Sequence, residues 1–224
     1  MNRAMHRGIF FDLDGTLADS SGVMRRVFGD FAAAFGHTAT DAEFDTVSGQ
    51  PAALIIAKLK RDWALPQKLA ELLHRYNLMI DAAFLNVPLA PGTTTTLEAA
   101  FQHGWKIGVV TSNTAARSKT WLARHRLAPF VEIVVGGDEV CLGKPQPEPY
   151  RVALARSGCT REASIALEDS LPGAKSALAA GLRTFGYAPP GRAPIDWPDS
   201  VRLIGAFDEL MPELTRQRPR RARA

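Results

Sequence analysis

Cysteine is scarce: Cys141 and Cys159 are the only two in 224 residues, and they lie far apart. That excludes a disulfide framework and a cysteine-built zinc site, and both thiols are expected to be reduced. No apolar run approaches the roughly 18 residues of a membrane helix. The basic start is followed by Ile9-Phe10-Phe11 alone before Asp12 interrupts, short of the roughly 7–15 residues of an export-signal core. No membrane partner is expected, and the cytoplasm is the expected compartment. Aromatics make up 8% of the chain, and Trp63, Trp105, Trp121 and Trp197 are too dispersed for a stacking platform. His37, His74, His103 and His125 lack metal-ligand spacing and suit surface or helix-end positions.

Acid is missing from one stretch. Residues 216–224 hold five arginines, at 216, 218, 220, 221 and 223, and no Asp or Glu. Setting those five aside turns the net charge of +4 into −1. The body is nearly neutral, so nucleic acid is not an expected partner of it. A charged block with Pro219 and little apolar content reads as a solvated, disordered tail.

What is present is ordinary for a globular protein: 46% hydrophobic and 22% charged residues, enough for one or two domains with a real core. Short apolar runs at 9–11, 107–110, 133–135, 165–167 and 184–187 are bounded by Gly, Asp, Ser or Thr. They read as buried strands of a parallel sheet. Helical patterns at 94–103, 115–125 (after Thr114, a good N-cap), 149–157 and 174–180 lie between them. The alternation predicts a doubly wound α/β fold. Residues 22–86 break it, being helical throughout. Val23, Val27, Phe31 and Phe35 form one stripe, and further helices are expected at 51–60 and 67–86, the last with Pro66 at its start. The expected organisation is a core of 1–19 and 88–215, an inserted helical subdomain of 20–87 and a tail of 216–224. An insert at that point sits above the carboxyl ends of the strands, where open α/β sheets bind ligands.

Four stretches near those strand ends carry chemistry. In Asp12-Leu13-Asp14-Gly15-Thr16, two acids two positions apart can face the same way, and like charges so close need a counter-charge. Thr111-Ser112-Asn113 offers a hydroxyl and backbone N–H groups to an anion, or caps the next helix. Lys144 sits in a proline-stiffened loop, Gly143-Lys144-Pro145, as a point charge for phosphate or carboxylate. Glu168-Asp169-Ser170 adds two acids, as ligands or as helix caps. If the strand ends converge, four carboxylates and one lysine sum to −3, a field that repels a phosphate dianion. Mg²⁺ brings it to −1 and prefers this kind of ligand set. The charge count therefore predicts a metal-dependent phosphoryl site.

The ordered set Asp-Leu-Asp-Gly-Thr-Leu, Thr-Ser-Asn, Gly-Lys-Pro and Glu-Asp-Ser resembles the four motifs of the haloacid dehalogenase-like hydrolase superfamily. The likeness covers about residues 8–188 and is similar to the helical-cap phosphatases that act on phosphoglycolate and sugar phosphates. It implies a Rossmann-like core and a Mg²⁺-dependent phosphatase for a small phosphorylated metabolite. Asp12 would be the nucleophile that forms an aspartyl-phosphate, and Asp14 the general acid and then base. Thr111, with Ser112 and Asn113, would hold the phosphoryl oxygens, and Lys144 would neutralise charge. Asp169 would bind the metal with Asp12 and the Asp14 carbonyl, with Glu168 as a supporting or alternate ligand. Asp19-Ser20 would be the hinge into the insert, and Gly49 and Gln50 would face the substrate. Asp138 is expected in a structural turn. Two other readings stay open: a phosphosugar mutase of the same superfamily, and a non-catalytic binding protein whose basic tail touches nucleic acid. Ser48-Gly49-Gln50-Pro51-Ala52 lacks the cation a mutase would place there, and Lys58, Lys60 and Arg61 come later. Monomer and homodimer are both open.

Overall fold

The computed structural model describes residues 6–192 and 194–216. The apolar runs form a parallel sheet of β1 (Gly8–Phe11), β2 (Lys106–Val110), β3 (Val131–Val135), β4 (Ile165–Glu168), β5 (Arg183–Tyr187) and β6 (Arg202–Ile204), in the order β3-β2-β1-β4-β5-β6. The order reverses beside β1: the chain steps outward through β2 and β3 on one side and through β4, β5 and β6 on the other. Such a switch point opens a crevice at the carboxyl ends of the strands. β6 was not legible as a strand; it is three residues long, and its pairing with β5 defines it.

Side-chain alternation along β1 feeds two cores. Ile9 and Phe11 enter a large cluster that runs on into the helices after β1, and Phe10 enters a second with Val110, Ile133, Tyr150 and Ala166. Burial on both faces explains why the strands read as unbroken apolar runs.

The first four of the five helices between β1 and β2 are α1 (Ser21–Ala33), α2 (Asp41–Val47), α3 (Ala52–Asp62) and α4 (Leu69–Phe84). The α1 stripe buries Val27 and Phe31, and Phe35 lies past the helix end but packs at a tilt on Phe31, ring centroids 5.0 Å apart. Thr40 and Glu43 close a capping box at the start of α2. α4 starts two residues later than its pattern suggested. Lys60 Nζ holds the carbonyls of Leu65 and Gln67 at 2.6 and 2.7 Å, which keeps the connection after Pro66 out of the helix. The chain leaves and re-enters at one place: Asp19 N–H donates to Pro88 O at 2.9 Å, and Ala90 N–H to Leu17 O at 2.9 Å.

The remaining helices are α5 (Thr93–Gln102), α6 (Ala115–Arg124), α7 (Glu148–Ser157), α8 (Leu171–Ala179) and α9 (Met211–Leu214). Thr114 caps α6 by accepting from Arg117 N–H. α8 begins before its expected start at 174, because Ser170 accepts from Gly173 N–H and Pro172 fits the first turn. Trp121 and Trp105 are buried, their indole N–H groups donating to Val87 O and Leu214 O. Trp63 packs on His37 and Phe28, and His125 packs at a tilt on Trp121. Both cysteines are free, and no described helix is long and apolar enough to cross a membrane. The expected tail, apart from Arg216, lies outside the described residues.

Candidate active site

The ladder between β1 and β4 runs one residue past the strand, with Asp12 N–H donating to Leu167 O at 2.9 Å. Alternation turns the Asp12 side chain to the face of Phe10 and Tyr150, where 6% of the residue is exposed. Lys144 Nζ meets it there, 2.5 Å from Asp12 Oδ1, 2.6 Å from Glu168 Oε1 and 2.9 Å from Val110 O. Three acceptors for three ammonium protons satisfy the lysine fully. Burial disfavours its charge, yet Asp12 and Glu168 outweigh burial and raise its pKa. Asp12 is itself raised by burial, against the pull of Lys144.

Glu168 ends β4 with no exposure, and its Oε1 also accepts from the Tyr150 hydroxyl. Burial pushes its carboxyl up to about 8 against the pull of Lys144. A Cβ at position 173 would lie 1.8 Å from Glu168 Oε2, so only glycine lets α8 pass the carboxylate. Neither Glu168 nor Asp169 caps that helix; Ser170 does. Asp169 follows, pushed up to about 7 by burial and by Asp12. Asp12, Glu168 and Asp169 each offer an oxygen, all within 4.8 Å of one another. An all-carboxylate donor set this tight suits a hard divalent cation.

Gly15 has φ +79, and a Cβ there would lie 1.9 Å from Asp169 Oδ2, so the turn after Asp14 requires glycine twice over. Asp14 lies on the other side, its Oδ2 accepting from Asn113 Nδ2 at 3.2 Å. Its Oδ1 is buried with no hydrogen-bond partner among the described residues. Burial and the charge of Asp12 push this carboxyl up to about 6.

The Thr111-Ser112-Asn113 turn divides its groups. Thr111 Oγ1 accepts from Asn113 N–H at 3.0 Å, which occupies one of the N–H groups expected to face an anion. Ser112 Oγ donates to Gly49 O at 3.1 Å. A Cβ on Gly49 would lie 3.5 Å from Ser170 Cβ, and one on Gly143 would lie 3.7 Å from Pro51 Cγ. The 48–51 loop therefore lies across three of the four motif loops. Gln50 folds back, its Nε2 donating to Thr46 O at 2.9 Å. Ser20 makes no side-chain cap to α1. Asp138 is structural, accepting from Ala115 N–H at 2.8 Å.

The three cations that follow the 48–52 stretch are engaged elsewhere. Lys58 pairs with Asp62, Arg61 reaches the same Asp62, and Lys60 closes the loop before α4. Three groups at the site escaped the sequence reading. Tyr150 gives no signal beyond its place in the first turn of α7. Arg117, 8% exposed at the side chain, binds Asn113 Oδ1 and bridges to Asp81 at 2.6 Å and Asn77 at 3.2 Å in α4. Arg192 reaches in after β5, with Nη1 2.8 Å from Asp169 Oδ2 and Nη2 2.6 Å from Gly15 O. Its signal was available: a cation in the Pro189-Pro190-Gly191-Arg192 loop past a strand end, as with Lys144.

Comparison with known proteins gives the same family. The model of the haloacid dehalogenase-like hydrolases matches residues 9–187. A phosphoglycolate phosphatase of Cereibacter sphaeroides is 30% identical over 94% of this chain and 98% of that protein. Protein CbbY of the same organism is 29% identical over 92% and 94%. The crystal structure of a CbbY mutant from Rhodobacter sphaeroides in complex with xylulose-1,5-bisphosphate superposes with a TM-score of 0.80 at 25% identity, covering 92% of this chain and 96% of that one.

Proposed function

Because the chain belongs to the haloacid dehalogenase-like hydrolase family, we propose that it is a Mg²⁺-dependent phosphomonoester hydrolase for a small phosphorylated metabolite, working through an aspartyl-phosphate. The observation that carries this reading is the Asp12 carboxylate held at one oxygen by Lys144, with Asp169 and Glu168 within ion-sharing distance.

Lys144 fixes the plane of the Asp12 carboxylate and offsets the negative charge around it. An Asp12 oxygen attacks phosphorus, the bond to the leaving oxygen breaks, and Asp14 gives its proton to the departing alcohol. A carboxyl at about 6 suits that exchange near neutral pH. In the second step Asp14 takes a proton from water, the water oxygen attacks phosphorus, and Asp12 is released with inorganic phosphate. Two smaller barriers replace one displacement. The Thr111 hydroxyl and Ser112 N–H hold the phosphoryl oxygens, with Asn113 acting on Asp14 instead. Asp12, Asp169, the Asp14 carbonyl and Glu168 would hold Mg²⁺, which supplies charge neutralisation at the phosphoryl oxygens.

Residues 20–87 act as a cap over this floor, and Gly49 touches it through the Ser112 hydroxyl. The mutase alternative needs a cap cation for a second phosphate. Lys58, Lys60 and Arg61 all have partners within the insert, which favours hydrolysis. The CbbY relative is named with a bisphosphate ligand, and the engagement of Lys58, Lys60 and Arg61 favours substrates with one phosphate.

The test is phosphate release from a panel of phosphoglycolate, hexose phosphates and nucleoside monophosphates, with Mg²⁺ and with chelator. Metal-dependent release is expected. No release from any of them overturns the reading.

A further inference from the structure

Two cations at the site have no part in the steps above: Arg117 is paired with Asp81 from α4, whereas Arg192 bonds one of the metal-binding carboxylates. Arg192 stands on the irregular segment after β5, beside Gly191 at φ +88. Its two terminal nitrogens bond Asp169 Oδ2 and Gly15 O, and its guanidinium lies 5.4 Å from the Tyr187 ring centroid. The side chain is 27% exposed, so it stands at the rim of the site. Lys144 bonds Asp12 and Glu168. Lys144 and Arg192 thus divide the metal-binding carboxylates, one from within and one from the rim.

The charge count changes accordingly. With Arg192 included, and Arg117 set against its own partner Asp81, the four carboxylates and two cations sum to −2. A divalent ion brings the site to zero, and a phosphate dianion then meets a neutral floor. We infer that Arg192 sets the charge of this site, weakening divalent-ion binding at Asp169 and strengthening phosphate binding beside it. A fixed positive charge repels the first and attracts the second, and both lie well within the roughly 8–10 Å over which salt screens. The forked pair of N–H bonds holds the guanidinium in place, so its field is directed. This inference rests on the metal-dependent phosphatase reading.

The test uses Arg192→Gln in the full chain. Calorimetry reads Mg²⁺ binding to metal-free enzyme, then inorganic phosphate binding at saturating Mg²⁺. The expected result is about tenfold tighter Mg²⁺ and about tenfold weaker phosphate, both differences shrinking as salt rises. Arg192→Met, which keeps a long apolar stem without the charge, must give the same two shifts. A residue that only oriented Asp169 would act the other way on the ion, its loss weakening metal binding by roughly 10–100-fold. Weakening of both ligands, or no change in either, overturns the inference. Neither measurement involves turnover. A wild-type protein that shows both shifts on substitution but hydrolyses nothing breaks the hydrolase reading and leaves the role of Arg192 standing.

Discussion

Lys144 and Lys58 are each paired with carboxylate, and there the likeness ends. The Lys144 side chain is 3% exposed and joins Asp12 to Glu168 across 132 and 24 positions of sequence, whereas that of Lys58 is 40% exposed and pairs with Asp62 one helical turn away. The same contrast separates the floor of the site from the insert above it. On the floor, ions are buried and bond one another across the sheet; burial raises the carboxyls, and Asp12 and Glu168 raise Lys144 against its own burial. In the insert, Arg25 with Asp41 and Asp45, and Lys58 with Asp62, sit on the surface. Surface pairs of this kind contribute little. Desolvated charge is costly to hold, and a protein that holds it has built a place where charge acts strongly. Under the proposed function, the chemistry belongs to the floor, and the insert contributes shape.

The largest expected effect is on turnover. Asp12→Asn should lower kcat by about 10⁴-fold or more in a phosphate-release assay, because the nucleophile is lost. Substantial residual activity would remove the nucleophile assignment. Next is Lys144→Met, which leaves two buried carboxylates without their cation. A loss of about 3–5 kcal/mol is expected from denaturant unfolding; a loss under about 1 kcal/mol would make the floor no different from the insert.

The third prediction concerns pH. Asp14, Glu168 and Asp169 hold protons in the folded, metal-free protein up to about 6, 8 and 7, above their ordinary values of 3.8, 4.5 and 3.8. The folded state binds more protons than the unfolded one across that window, so stability falls as pH rises. The melting temperature of the metal-free protein should drop between about pH 4.5 and 8, and the increase produced by Mg²⁺ should grow over the same range. A flat profile would contradict the buried-carboxylate picture. The smallest effect is reserved for the insert: Lys58→Ala should change stability by less than about 0.5 kcal/mol and leave kcat and KM unchanged. A large rise in KM would mean that the insert supplies binding charge after all.

What could be read from the sequence divides along the same line. The sheet announces itself because its strands are buried on both faces, and the acids and lysine of the floor stand out against those apolar runs. Arg117 does not stand out: it reaches the site through Asn113 and is held there by Asp81, distant in sequence. Arg192 carries a signal, its place in a Pro/Gly loop past a strand end, but only the fold shows that its partner is Asp169. β6 lacks an apolar run because two of its three residues are exposed. The start of α4 is set by Lys60 reaching across the loop, a tertiary bond that overrides the helical pattern. Gln50 was expected to face the substrate, yet its amide donates to the carbonyl of Thr46 at the end of the preceding helix, a local bond that no spacing rule reveals.

The insert's two ends are one hydrogen bond apart, Asp19 N–H to Pro88 O. From the standpoint of the sheet, the whole stretch between them is a loop of fixed gap and free length. Closing a longer loop across that gap costs only fractions of a kcal/mol more for each doubling. A stretch of another length could therefore span the same gap without re-registering a single strand. Under the proposed function, the part that covers the site can change separately from the reaction it covers.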